Sequence, residues 1–375
     1  MFQARRSRTP PASHGAGVLA GFLAALSVSC DGLLVKLASR DGANLSTIMV
    51  FKSGLGAGCL VAMMALLALV SVCVAPGGAR EALRVEWPSR TGLAHILFGG
   101  VMSAVMSLGF TLAFYFATSA NVLALTALAP IWTALFTRPV LGLPLPWRTI
   151  WANAGALLGT AVVVGGVVLE ARGSVRQSAR NPVLGTFFAL TVSLSSAAVV
   201  TTIRSAHQRA PGTRMLLASL LGMVLATMIG LALVPLLQPA GEPLLPADAR
   251  AIAWLAISGF FVVALALVLI TLAARLASPA EVSLILQVEG LLGPISTFAF
   301  LGEVPSAYSL GGGSFVLLMV ATHEALALYD GRRAASRRHG DAPAAVESAP
   351  AAAAAVKALA PANPHREARV FVSSA

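Results

Sequence analysis

Charge is what this chain has least of. Asp, Glu, Lys and Arg make up only 11% of its 375 residues, whereas an ordinary soluble domain carries roughly 25%. So few ions cannot coat a globule of this size, and an apolar outer surface is tolerated by lipid rather than water. Cysteine is also scarce. Cys30, Cys59 and Cys73 show neither metal-ligand spacing nor a disulfide framework, and Cys30 and Cys59, inside apolar runs, read as small packing residues. No nucleotide-binding glycine loop, zinc motif or nucleophile elbow stands out. The sequence therefore assigns no catalytic residue, metal or cofactor, and it argues against an enzyme or an ATP-driven pump within this chain.

What the chain does contain is apolar. Hydrophobic residues make up 57%, and the mean hydropathy is +0.83. The net charge is +11, from 26 basic residues against 15 acidic ones. A basic balance raises the question of nucleic acid, but the cations form no single stripe. They fall in short gaps between apolar runs and in the two tails, as the positive-inside rule for membrane proteins requires. Arg5, Arg6 and Arg8 precede the first apolar run, and Ser27 to Cys30 loosely resembles a lipoprotein cleavage site. The run resumes at Gly32, so the segment reads as a retained first span.

A span needs about 20 predominantly apolar residues. That criterion predicts spans near 17–38, 46–73, 93–116, 119–137, 149–169, 183–203, 215–237, 251–273, 279–301 and 308–329. The fold class expected is an all-α integral membrane protein of about ten transmembrane helices. Residues 1–16 read as a cytoplasmic tail, 170–182 as a linker and 330–375, Arg-rich and then Ala/Pro-rich, as a disordered cytoplasmic tail. Lys and Arg counts place both termini inside, with Arg172, Arg176 and Arg180 running against the rule.

The two halves, 17–169 and 183–329, resemble each other. With a shift of 164 positions, Gly21 falls on Gly185 and Ala25 to Ser29 on Ala189 to Ser193; later a shift of 160 brings Leu141-Gly142 onto Leu301-Gly302. Five helices per half is an odd number, so the second half enters the membrane from the opposite side. Such inverted repeats recur in secondary transporters, with the substrate site near the midplane.

Ser278-Pro279-Ala280-Glu281-Val282 through Pro294, then Phe300-Leu301-Gly302-Glu303 and Gly311-Gly312, resemble the second-repeat signature of the EamA branch of the drug/metabolite transporter superfamily. Lys36 and Phe51-Lys52 sit where that family usually has a basic residue. The resemblance covers about residues 17 to 328. It implies ten helices in two inverted five-helix repeats and transport of a small metabolite. One departure is Leu143, which stands in the first half where Glu303 stands in the second.

Ionisable groups inside a bilayer are expensive, and they persist where they pair or line a polar cavity. Asp31 lies about 10 Å below the outer end of span one at 1.5 Å per residue, and Lys52 lies at similar depth in span two. The pair reads as a substrate gate or as a helix–helix salt bridge. Their second-half counterparts at a shift of 164 are Ser195 and Leu216, so charge is not repeated. Glu289, two residues after Gln287, lies near the middle of span nine. Desolvation there stabilises a neutral carboxyl, suited to proton coupling, to binding a substrate amine or to a helix–helix hydrogen bond. Tyr115 and Asn121 are further candidate cavity residues, and Pro130 and Pro294 mark helix bends.

Together these features predict a secondary transporter in a bacterial inner membrane, exporting a small molecule by alternating access, with proton coupling in reach. Its expected partners are that solute and the lipid bilayer, with a second copy of the chain as a further candidate and no nucleic acid. The competing readings are a membrane-embedded lipid-handling protein and a nontransporting scaffold.

Overall fold

The computed structural model describes residues 11–74, 88–142, 147–172, 181–238, 243–246, 248–302 and 307–340. All regular structure among these is helical. Eight helical stretches are long and apolar enough to cross a membrane: Gly15–Arg40, Leu45–Leu69, Arg90–Phe116, Ser119–Leu141, Val183–Arg209, Leu216–Leu237, Ala249–Leu276 and Glu281–Leu301. Two shorter apolar stretches, Ile150–Val162 and Leu310–His323, fall where the other two spans were expected. The protein is an all-α, multi-pass membrane protein.

In chain order the helices are α1 (Pro11–Val28), α2 (Asp31–Arg40), α3 (Leu45–Val74), α4 (Arg90–Phe116), α5 (Ser119–Thr126), α6 (Ala129–Phe136), α7 (Trp147–Arg172), α8 (Pro182–Arg209), α9 (Leu216–Leu237), α10 (Ala249–Ile257), α11 (Ala266–Leu276), α12 (Pro279–Leu286), α13 (Glu289–Leu301) and α14 (Ala307–Gly340). Wide π-helical turns, Thr137–Leu141 and Ser258–Leu265, extend α6 and join α10 to α11. Residues 1–323 form one compact unit and 324–375 another; in the latter, residues 324–340 are described and helical. Helix thus occupies 330–340, expected as tail, where Ala and Arg favour it. The rest of that tail, residues 1–10, the linker from 173 to 180 and Glu303 lie outside the described residues.

Helix ends follow local chemistry. Ser89, Thr118, Asn181 and Ser278 each accept a hydrogen bond from a backbone N–H of the first turn that follows. Ser278 and Glu281 complete a reciprocal capping box. Gly142 and Gly302 end spans four and nine at φ +65° and +67°, in the left-handed region that glycine enters without penalty.

Packing follows the rule for lipid rather than water. Leu66, Leu158, Leu236 and Phe300 are exposed, whereas Ala, Ser and Thr dominate the buried positions. α4 packs on α8 and α9, α9 on α3, α3 on the Ser258–Leu265 turn, and α1 on α11. Each of these contacts joins the first half of the chain to the second. The crossing of α4 and α9 depends on Gly222. A Cβ there would stand 2.4 Å from Ser103 Cβ and 2.8 Å from the Gly100 carbonyl oxygen. Gly222→Ala is expected to destabilise the fold by about 1–3 kcal/mol, the usual range for overpacking, seen as a lower melting temperature in detergent. An unchanged melting temperature would show that this crossing has slack.

Candidate functional site

The membrane interior is organised by two interrupted helices. The first span breaks at Ser29-Cys30, and Asp31 opens α2 as its first residue. Ser29 Oγ turns back to donate to the Ala25 carbonyl at 2.6 Å. Span nine breaks at Gln287-Val288, and Glu289 opens α13. Around that break the backbone bonds tighten to a spacing of three, as in Gly290 N–H to Gln287 C=O at 2.9 Å and Leu291 N–H to Val288 C=O at 3.2 Å. In both places a carboxylate sits at a new helix N-terminus, where the helix dipole favours negative charge.

Asp31 is paired. Lys52 Nζ donates to Asp31 Oδ2 at 2.7 Å, and Ser258 Oγ donates to Asp31 Oδ1 at 3.3 Å. Asp31 and Lys52 are each only 2% exposed. The contact ties α2 to α3 and reaches the Ser258–Leu265 turn.

Glu289 is not paired. It is 8% exposed, and its Oε1 has no hydrogen-bond partner among the described residues. The described ion pairs, Asp31–Lys52 and Arg148–Glu281, do not include it. Ser107 Oγ on α4 is likewise buried and unpartnered. Gln287 Nε2 donates to the Ser283 carbonyl at 3.3 Å, and Ser283 Oγ contacts Thr133 Oγ1 at 2.8 Å.

Asp31, Lys52, Ser107, Ser283, Gln287 and Glu289 line one cavity of about 80 Å³. A buried water needs about 10–15 Å³ by this kind of measure, so the space holds on the order of five to eight waters or a small solute. Asp31, Lys52, Ser107, Gln287 and Glu289 supply its polar wall; Met106, Phe110 and Val263 are among its apolar lining. Proline has no N–H, so Pro130 cannot donate to the Thr126 carbonyl, nor Pro294 to that of Gly290. Thr126 and Gly290 both line the cavity.

Four of the six candidate residues from the sequence, Asp31, Lys52, Gln287 and Glu289, therefore meet. Tyr115 and Asn121 do not line this cavity. Tyr115 packs at the end of α4, edge-to-face on Phe116, and Asn121 belongs to the first turn of α5, its backbone N–H capped by Thr118. Pro130 does follow a break, standing in the first turn of α6, where its missing N–H does no harm. Pro294 lies inside α13, and the break of span nine comes earlier, at Gln287-Val288. Sequence reasoning missed Ser107, Ser258 and Ser283, because a serine in an apolar run carries no signal of what it faces.

No protein-family model and no curated protein matches the chain. The fold does match solved structures. One, described only as the crystal structure of a protein, superposes with a TM-score of 0.58 at 18% identity, over 84% of this chain and 98% of the other. At that identity the likeness concerns the fold alone.

The buried pair makes a thermodynamic prediction. Lys52→Met leaves Asp31 uncompensated and is expected to destabilise by about 3–5 kcal/mol, whereas Lys52→Met with Asp31→Leu removes both charges and recovers most of that loss. Melting curves of the single and double variants in detergent test this. Additive losses would mean that the two side chains do not act as a pair.

Proposed function

We propose that this protein is a secondary transporter that exports a small metabolite across a bacterial inner membrane by alternating access, with the Asp31–Glu289 cavity as its site. The observation that carries the reading is a buried carboxylate oxygen, Glu289 Oε1, left without a partner beside an internally neutralised Asp31–Lys52 pair. A bare carboxylate away from water is costly unless it is compensated. The cavity therefore calls for one positive charge, which a proton or a cationic group on the solute can supply in turn.

The architecture supports the reading. Landmarks recur 160 residues apart: the Thr118 and Ser278 caps, the breaks at Ala127-Leu128 and Gln287-Val288, and the left-handed Gly142 and Gly302. Counting the two shorter apolar helices, each half supplies five, so we read two inverted five-helix repeats with both termini cytoplasmic. The half-to-half packing puts the cavity on their shared surface, where rocking of one half against the other opens it to either side. The resemblance to EamA-type sequences points the same way.

Reconstituted protein is expected to move solute from a metabolite panel in a manner that responds to a pH gradient. Glu289→Gln is expected to lower that flux at least tenfold and to abolish its response to the gradient. Full, gradient-sensitive flux in Glu289→Gln would remove this residue from the mechanism.

A further inference from the structure

A second, larger recess lies away from the central cavity, with a volume of about 380 Å³. Its floor is a single stripe of α8, formed by Ala198, Thr201, Thr202, Ser205 and Arg209, spaced so that all five fall on one helix face. Ala94, His95 and Phe98 of α4 form one wall, and Phe136 and Val140 at the end of α6 form the other. We infer that this groove binds one anionic phospholipid of the surrounding bilayer, with the phosphate at Arg209 and an acyl chain along the α8 floor between Phe98 and Phe136.

Three observations support this occupant. The first is length. From Arg209 to Ala198 the floor runs about 16 Å along the helix axis, close to half of the roughly 30 Å hydrocarbon thickness. It is one leaflet deep. The second is charge. Arg90, Arg138, Arg209 and Arg214 are all exposed at the helix ends around its mouth. Arg209 Nη2 donates to the Val140 carbonyl, and Thr213 lies against Gly92, so these ends are neighbours. A guanidinium has five N–H donors, which leaves Arg209 others for a phosphate. The third is an unmet hydrogen bond. Thr202 donates to the Ala198 carbonyl at 2.6 Å, and Ser205 Oγ meets His95 Nε2 at 3.0 Å. One step deeper on the same face, Thr201 Oγ1 is buried and has no partner among the described residues. A glycerol ester carbonyl below the phosphate accepts such a hydroxyl. A free anion would satisfy the arginines but would leave the apolar walls empty.

The test is native mass spectrometry on the full-length protein in detergent, titrated with phosphatidylglycerol and with phosphatidylcholine of the same chains. One phosphatidylglycerol should be retained, at least fivefold more tightly than phosphatidylcholine. Arg209→Gln should abolish that preference. Ala198→Phe, which fills the floor, should lower occupancy by both lipids. Equal affinity for the two lipids, unchanged occupancy in Arg209→Gln, or displacement of the lipid by millimolar inorganic phosphate alone would each overturn the assignment. If Ala198→Phe does not fold, the outcome with Arg209→Gln decides.

Discussion

A lysine and an aspartate 2.7 Å apart, both out of water, constrain most of what surrounds them. Neither ion is tolerable alone at that depth, because desolvation costs several kcal/mol per ion even after the protein relaxes. Their attraction repays this only if the geometry is held. The chain holds it by breaking the first span at Ser29-Cys30, so that Asp31 opens a new helix, and by placing Ser258 of a wide turn against the second carboxylate oxygen. Three separate segments, α2, α3 and the turn after α10, are thereby fixed around one ion pair. A change at any of the three is felt at the cavity, which has the same pair in its wall.

Once Asp31 is neutralised, Glu289 becomes the exceptional group. The two acids have the same local setting, each the first residue after a helix break, yet one has a cation within hydrogen-bond distance and the other an unpartnered oxygen. This inequality gives the cavity a direction for chemistry. On the transport reading proposed above, the unpartnered oxygen of Glu289 is where a proton or a cationic group would be met. The idle hydroxyl of Ser107 offers a further donor or acceptor without adding charge.

Much of this was legible in the sequence, and the failures have identifiable physical causes. Apolar runs located the membrane helices, because hydropathy reports the solvent a helix meets. The helices overrun those predictions, with α8 reaching Arg209 and α11 reaching Leu276, because a helix continues through polar residues until something caps it. Matching depths on consecutive antiparallel helices were enough to pair Asp31 with Lys52. Tyr115 and Asn121 misled because they are polar but lie beside the α4–α5 connection, at the end of their spans rather than at the depth of the cavity. The landmarks shared by the two halves do not keep a single offset. The reverse turns at Gly42 and Gly212 share φ +92° and stand 170 residues apart. Counted from those turns, Lys52 corresponds to Gly222 rather than Leu216. At that offset an ion in one half stands opposite a tight helix contact in the other, a difference of role that no comparison of residue types could supply.

The central claim is that one cavity opens alternately to the two sides of the membrane. Ser196 on α8 lines it and is only half-buried. Its accessibility, read as reaction of Ser196→Cys with a membrane-impermeant maleimide, tests the claim most directly. The background would have Cys30, Cys59 and Cys73 replaced by alanine, in right-side-out and inverted vesicles. Alternating access predicts labelling in both orientations. Labelling from one side only, or from neither, would contradict it.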